Sequence, residues 1–143
     1  MIVYSNSCSY GVLSDGATYS KYVADHFNAQ CINNGVSSSC NERIFRTSVR
    51  DILKLPKTQD ILVLIGLTNK WRGEYWDNTQ APMNPEGNDG HFISFTATTD
   101  NRYTDGFYRV YDHEAATTNL LYQLTVFLSF LKQSKVKYLI WTN

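Results

Sequence analysis

The chain has 143 residues, enough for one domain that buries roughly two-thirds of the surface its unfolded chain exposes. Its 13 basic and 13 acidic residues cancel, and no basic block or stripe is present, so the electrostatic footprint of a nucleic-acid binder is missing. No apolar run approaches the ~20 residues of a membrane span, no signal peptide is visible, and three cysteines without a Cys-x-x-Cys pair argue against both a disulfide framework and a structural zinc site.

Residues 1–4 start a strand, which β-branched and aromatic types favour. Residues 5–17 form a turn rich in Ser, Gly, Asn and Asp. Tyr19, Tyr22, Val23, His26 and Phe27 follow at i, i+3, i+4, i+7 and i+8, the spacing of a helix with one apolar face. Asp15 or Thr18 caps it, and His26 reads as a packed core histidine. Residues 30–33 are a short second strand. Ser39 and Glu42 stand in capping-box spacing ahead of a second helix. Its inner face is Ile44, Phe45, Val49, Ile52 and Leu53, and it must end before Pro56. The unbroken apolar run from Ile61 to Ile65 suits a central parallel strand buried on both faces.

Residues 67–111 are far longer than a typical connection and rich in aromatic side chains. They read as an ordered insertion over the carboxyl edge of the sheet, with His91 to Thr96 and Gly106 to Tyr111 as a small hairpin. Asp112 can cap the next helix, and Leu120, Leu121, Leu124, Phe127, Leu128 and Leu131 give it an apolar stripe. Val136 to Trp141 is the last strand. The order β-α-β-α-β-(insertion)-α-β predicts a single domain over residues 1–143, a three-layer α/β sandwich with a parallel sheet in strand order 2-1-3-4.

In such a sheet, turns leaving the carboxyl ends of neighbouring strands meet at one crevice. Ser7 sits past the first strand, where a hydroxyl can be presented. Gly35 leaves the second, with a backbone N–H unobstructed by a side chain. Thr68 and Asn69 leave the third, where a side-chain amide can donate. A nucleophile with backbone and amide donors converging on it is what acyl transfer needs, although Ser, Asn and Gly are also ordinary turn formers.

These stretches resemble the blocks of the SGNH (GDSL-type) hydrolases, most closely their phage-encoded members. Ser5-Asn6-Ser7-Cys8-Ser9 is similar to the first block, Asn33-Asn34-Gly35 to the second, and Gly66-Leu67-Thr68-Asn69 to the third with one residue extra. Ser39-Cys40-Asn41-Glu42-Arg43-Ile44 also looks like the phage branch. The resemblance implies an SGNH/flavodoxin-like fold and a serine esterase, with an O-acylated carbohydrate among the substrates it suggests. Ser7 would be the nucleophile, with Gly35 and either Asn69 or Thr68 as oxyanion donors, and no metal or organic cofactor. It also implies a location in the host-cell cytoplasm or the virion.

The chain departs from the family in one essential. The Asp-x-x-His block that follows the last strand is absent, and a serine hydroxyl is a weak nucleophile without a base. His91, in Asp89-Gly90-His91, is the preferred stand-in, and His113 at the start of the third helix is the other. A continuation beyond residue 143 is a further source. The competing reading is an inactive SGNH-like domain serving as a phage structural or glycan-binding component. Weaker alternatives are a flavin carrier built on the first turn, Cys8 as nucleophile rather than buried hydrophobe, and a glycosidase using two of Glu74, Asp77, Glu86 and Asp89, whose default is solvated loop charge. The edge of the last strand is an expected site of self-association.

Overall fold

The computed structural model describes residues 1–8, 18–77, 92–96 and 102–142. In chain order the elements are β1 (Ile2–Asn6), α1 (Tyr19–His26), β2 (Gln30–Asn33), α2 (Asn41–Lys54), β3 (Ile61–Leu67), β4 (Gly73–Trp76), β5 (Phe92–Phe95), α3 (Arg102–Arg109), α4 (His113–Gln133) and β6 (Lys137–Thr142). Four strands form a parallel sheet in the order β2-β1-β3-β6, and β4 and β5 form a separate antiparallel pair. Ser5 lies opposite Asn33 on one side and Leu64 on the other, so the ends of β1 and β2 finish level.

Side chains alternate across a strand, and helices take both faces. Val3 and Leu64 pack with Ala24 of α1, flanked by Tyr19, Val23 and Trp141. Tyr4, Val63 and Ile65 pack on the opposite side with Ile44, Phe45 and Ile52 of α2 and Phe127 and Leu131 of α4. This two-sided burial is why β3 is apolar without alternation.

Several expectations from the sequence need correction. The buried face of α1 is Ser20 and Ala24, with Tyr19 and Val23 beside them. Tyr22 and Phe27 are more than half exposed, and His26 is exposed with its ring edge-on to Phe27, so it is not a core histidine. The small side chains let the helix axis come close to Val3 and Leu64, which leaves the large rings outside. Thr18 is the cap, accepting from the Lys21 amide, whereas Asp15 lies outside the described residues.

At α2 the N-cap is Cys40 rather than Ser39: its sulfur accepts from the Arg43 amide, and the Ser39 hydroxyl donates back to the Val36 carbonyl. Leu53 and, on α4, Leu121 face solvent rather than the core. Asp112 caps α4 as expected, its carboxylate accepting from the Ala115 amide at 2.7 Å.

The expected hairpin between His91–Thr96 and Gly106–Tyr111 does not form. β5 pairs with β4 instead, and residues 102–109 are helical. Gly73 decides the pairing: a Cβ there would come within 2.7 Å of the Phe95 ring that covers it. Trp76 meets Phe92 edge-on at 5.1 Å across the other end of the pair. Among the described residues, no helix is long and apolar enough to cross a membrane.

Candidate active site

Ser7 follows directly on β1 and is 1% exposed. Two glycines make room for it. A Cβ added to Gly35 would stand 3.3 Å from the Ser7 hydroxyl oxygen, and one added to Gly66 would stand 3.0 Å from Ser7 Cβ. The Asn34 amide donates to the Ser5 carbonyl and the Val36 amide to the Ser7 carbonyl, so the pairing of β1 with β2 continues into both turns. The structure therefore brings Ser7 and Gly35 together.

The Ser7 hydroxyl and the Gly35 N–H are both already engaged. The Ser7 hydroxyl donates to the Cys8 carbonyl at 3.2 Å. The Gly35 N–H donates to Asn33 Oδ1 at 3.0 Å, and the same oxygen accepts from the Ser5 hydroxyl at 2.9 Å. The Tyr19 phenol is buried with no hydrogen-bond partner. Burial pushes its pKa up, and the nearby Ser7 and Ser5 hydroxyls draw it back, although neither reaches hydrogen-bonding geometry.

Helix α2 holds this crevice from behind. The Asn34 side-chain amide donates to Asp51 Oδ2 at 2.8 Å, and the Arg43 guanidinium donates to the Asn34 backbone carbonyl at 3.2 Å. Asn6, fully buried, turns its amide nitrogen to the Ile44 carbonyl and to the Thr47 and Ser48 hydroxyls. Two N–H groups cannot serve every acceptor in reach, and Asn6 Oδ1 has no partner. Beside it the Tyr4 phenol donates to Asp51 at 3.2 Å, and burial pushes its pKa up.

Thr68 is fixed through its backbone. Its N–H donates to Asn41 Oδ1, and its carbonyl accepts from Asn41 Nδ2, both at 2.9 Å. Asn69 is exposed, and its carbonyl accepts from the Arg72 amide. Neither Thr68 nor Asn69 hydrogen-bonds to Ser7.

No described histidine reaches Ser7 through a hydrogen bond. His91 lies outside the described residues. His113 is exposed at the start of α4, its ring 5.1 Å from that of Tyr111 and 6.4 Å from that of Trp71. His26 is exposed on α1, beyond the described contacts of the crevice.

Two features were not readable in the sequence. Cys8 is buried, as expected of a small apolar side chain, but its sulfur accepts from the Arg72 guanidinium, which also reaches the Ser39 carbonyl. Glu74 is no solvated loop charge: it forms a two-bond ion pair with Arg46 at 3.1 and 2.8 Å, with its side chain 8% exposed. The Arg46 guanidinium also lies 4.0 Å over the Phe92 ring.

Nearby, burial pushes the Glu42 carboxyl up, partly offset by its own backbone amide and by the side chains of Cys40 and Gln123. The Cys40 thiol is likewise pushed up by burial, with Glu42 and Glu74 adding to the effect. Among the described residues, no group of three or more His, Cys, Asp or Glu side chains can hold a metal ion. No family model, no curated protein and no solved structure matches the chain.

Proposed function

We propose that the chain carries an SGNH-type serine ester hydrolase site with Ser7 as nucleophile. The observation that supports this best is the seat of Ser7 at the carboxyl end of β1 between Gly35, where a Cβ would be tight, and Gly66, where it would clash. The parallel four-stranded sheet, in the order β2-β1-β3-β6 with helices packed on it, is consistent with an α/β fold of that kind.

In this reading the Ser7 Oγ attacks the acyl carbonyl and its proton passes to an imidazole, with His91 as the candidate within this chain. The alcohol leaves, and water then hydrolyses the acyl-enzyme. The Gly35 N–H, with Asn69 or Thr68, receives the oxyanion. To do so Gly35 must exchange its bond to Asn33 Oδ1 for one to the substrate. The substrate class is an ester of a small alcohol or an O-acylated carbohydrate, and no cofactor enters.

The engaged state of both groups favours a second reading, a non-catalytic SGNH-like domain of a phage particle that binds glycans. One experiment decides between them. The protein is incubated with a fluorophosphonate probe and with p-nitrophenyl acetate, beside Ser7→Ala. Labelling and turnover that depend on Ser7 establish the esterase, and neither rising above the variant overturns it and leaves the second reading standing. Self-association through the outer edge of β6, which pairs only with β3 among the described strands, belongs to the same proposal. A clean monomer by light scattering at high concentration would exclude it.

A further inference from the structure

Beside the crevice, and separate from Ser7, lies a half-open cavity of about 270 Å³. The start of α2, the segment between β3 and β4, α3, and the first half of α4 enclose it. Its wall combines the rings of Phe107 and Tyr111 with Glu42, Asn119, Lys70 and Arg72. Two buried oxygens on wall residues have no hydrogen-bond partner, Glu42 Oε2 and Tyr111 Oη. Orphaned polar atoms of this kind are costly, and they are rare unless a ligand or water completes them. Both oxygens are closed to a water-sized group as the side chains stand, so a ligand meets them as the soft terminal carboxyl torsion of Glu42 and the Tyr111 side chain turn toward the cavity.

Charge narrows the ligand class. Glu42 and Asp112 on the wall are balanced by Lys70 and Arg72. The two cations are occupied, Lys70 on Thr117 and the His113 carbonyl, and Arg72 on Cys8 and the Ser39 carbonyl. An anion would meet two carboxylates, and an amine would meet two fixed cations. A neutral compound with several hydroxyls suffers neither penalty: its O–H groups donate to Glu42 and exchange hydrogen bonds with the Tyr111 phenol. Size narrows it further, because the volume falls just below the ~300–1,000 Å³ of pockets for drug-sized ligands. One pyranose ring, with its apolar C–H face against Phe107 and Tyr111, fits both limits.

We propose that this cavity is a binding site for a single neutral sugar ring, held by Glu42 and Tyr111. The inference does not require Ser7 to be a nucleophile, and the labelling experiment above can fail without affecting it. The test is saturation-transfer NMR and calorimetric titration of the whole chain with the methyl glycosides of glucose, galactose, mannose and N-acetylglucosamine, alongside the open-chain polyols glycerol and sorbitol. Saturable binding of at least one glycoside is expected, weakened roughly threefold to tenfold in both Glu42→Gln and Tyr111→Phe. Circular dichroism and urea unfolding confirm that each variant is folded. Tight binding of the polyols with none of the glycosides would overturn the ring assignment. Binding to no probe, or binding unchanged in both variants, would overturn the site.

Discussion

The close packing of Gly66 against Ser7 is open to a quantitative test. In Gly66→Ala the new Cβ would stand 2.9 Å from Trp141 Cζ2 and 3.0 Å from Ser7 Cβ. Ordinary carbon contacts begin at about 3.5 Å, so Trp141 must retreat by about 0.6 Å and Ser7 by about 0.5 Å. Neither is free to do so. Trp141 is held edge-on by Tyr19 at 4.9 Å and packs on the Val3–Ala24–Leu64 cluster, while Ser7 is backed by Gly35. Overpacking of this kind costs about 1–3 kcal/mol, and replacing a strand glycine returns about 0.5–1 kcal/mol in backbone entropy. A net loss of about 1 kcal/mol follows, with limits of about 0 and 2.5, which at a urea m-value of about 2 kcal/mol/M lowers the unfolding midpoint by about 0.5 M. Trp141→Leu removes the nearest ring, so the same Gly66→Ala change in that background should lose less than half as much. Fluorophosphonate labelling of Ser7 should fall in the single variant as Ser7 is displaced. A Gly66→Ala protein more stable than the parent, or an equal penalty in both backgrounds, would refute the packing argument.

Three further outcomes are expected. Asn41→Ala strands both the N–H and the carbonyl of Thr68 and should destabilise by about 2–4 kcal/mol in urea unfolding, with Asn41→Asp, which keeps only the acceptor, between the two. Arg46→Ala leaves Glu74 buried and unpaired; because Arg46 is itself partly exposed, the cost should be about 1–3 kcal/mol, largely recovered by adding Glu74→Gln. Burial holds Glu42 above its ordinary carboxyl range, so the folded protein binds that proton more tightly than the unfolded chain does. Its destabilising effect is absent below the unfolded carboxyl pKa of about 4.3 and sets in as pH rises above it. Glu42→Gln should therefore be more stable than the parent at pH 7 and match it near pH 4, as read by urea midpoints across the range.

The parallel sheet was legible because its strands are short β-branched or unbroken apolar runs between turn residues, and Ile61–Ile65 announced its own two-sided burial. What misled the reading was size. On α1 the rings of Tyr22 and Phe27 follow helical spacing, yet Ser20 and Ala24 make the contact, because a helix lies closest to a sheet where its side chains are smallest. In residues 67–111 composition suggested a second hairpin strand, but Thr104, Phe107, Tyr108 and Tyr111 stand at i, i+3, i+4 and i+7, a helical period that the aromatic content obscured. The meeting of Ser7 with Gly35 followed from topology alone. The pairing of Cys8 with Arg72 and the clamp of Asn41 on Thr68 did not, since each joins residues far apart in sequence through side chains whose direction no local pattern encodes.

Arg46 does two jobs at once: it pairs with Glu74 on β4 and covers Phe92 on β5, so a single guanidinium on α2 holds both strands of the antiparallel pair. That pair hydrogen-bonds to no strand of the parallel sheet among the described residues. Its opening is thus coupled to the helix rather than to the sheet. In native-state hydrogen exchange the amides of Gly73–Trp76 and Phe92–Phe95 should exchange together with those of the first turns of α2, as one cooperative unit, while β1 and β3 remain protected to the global limit.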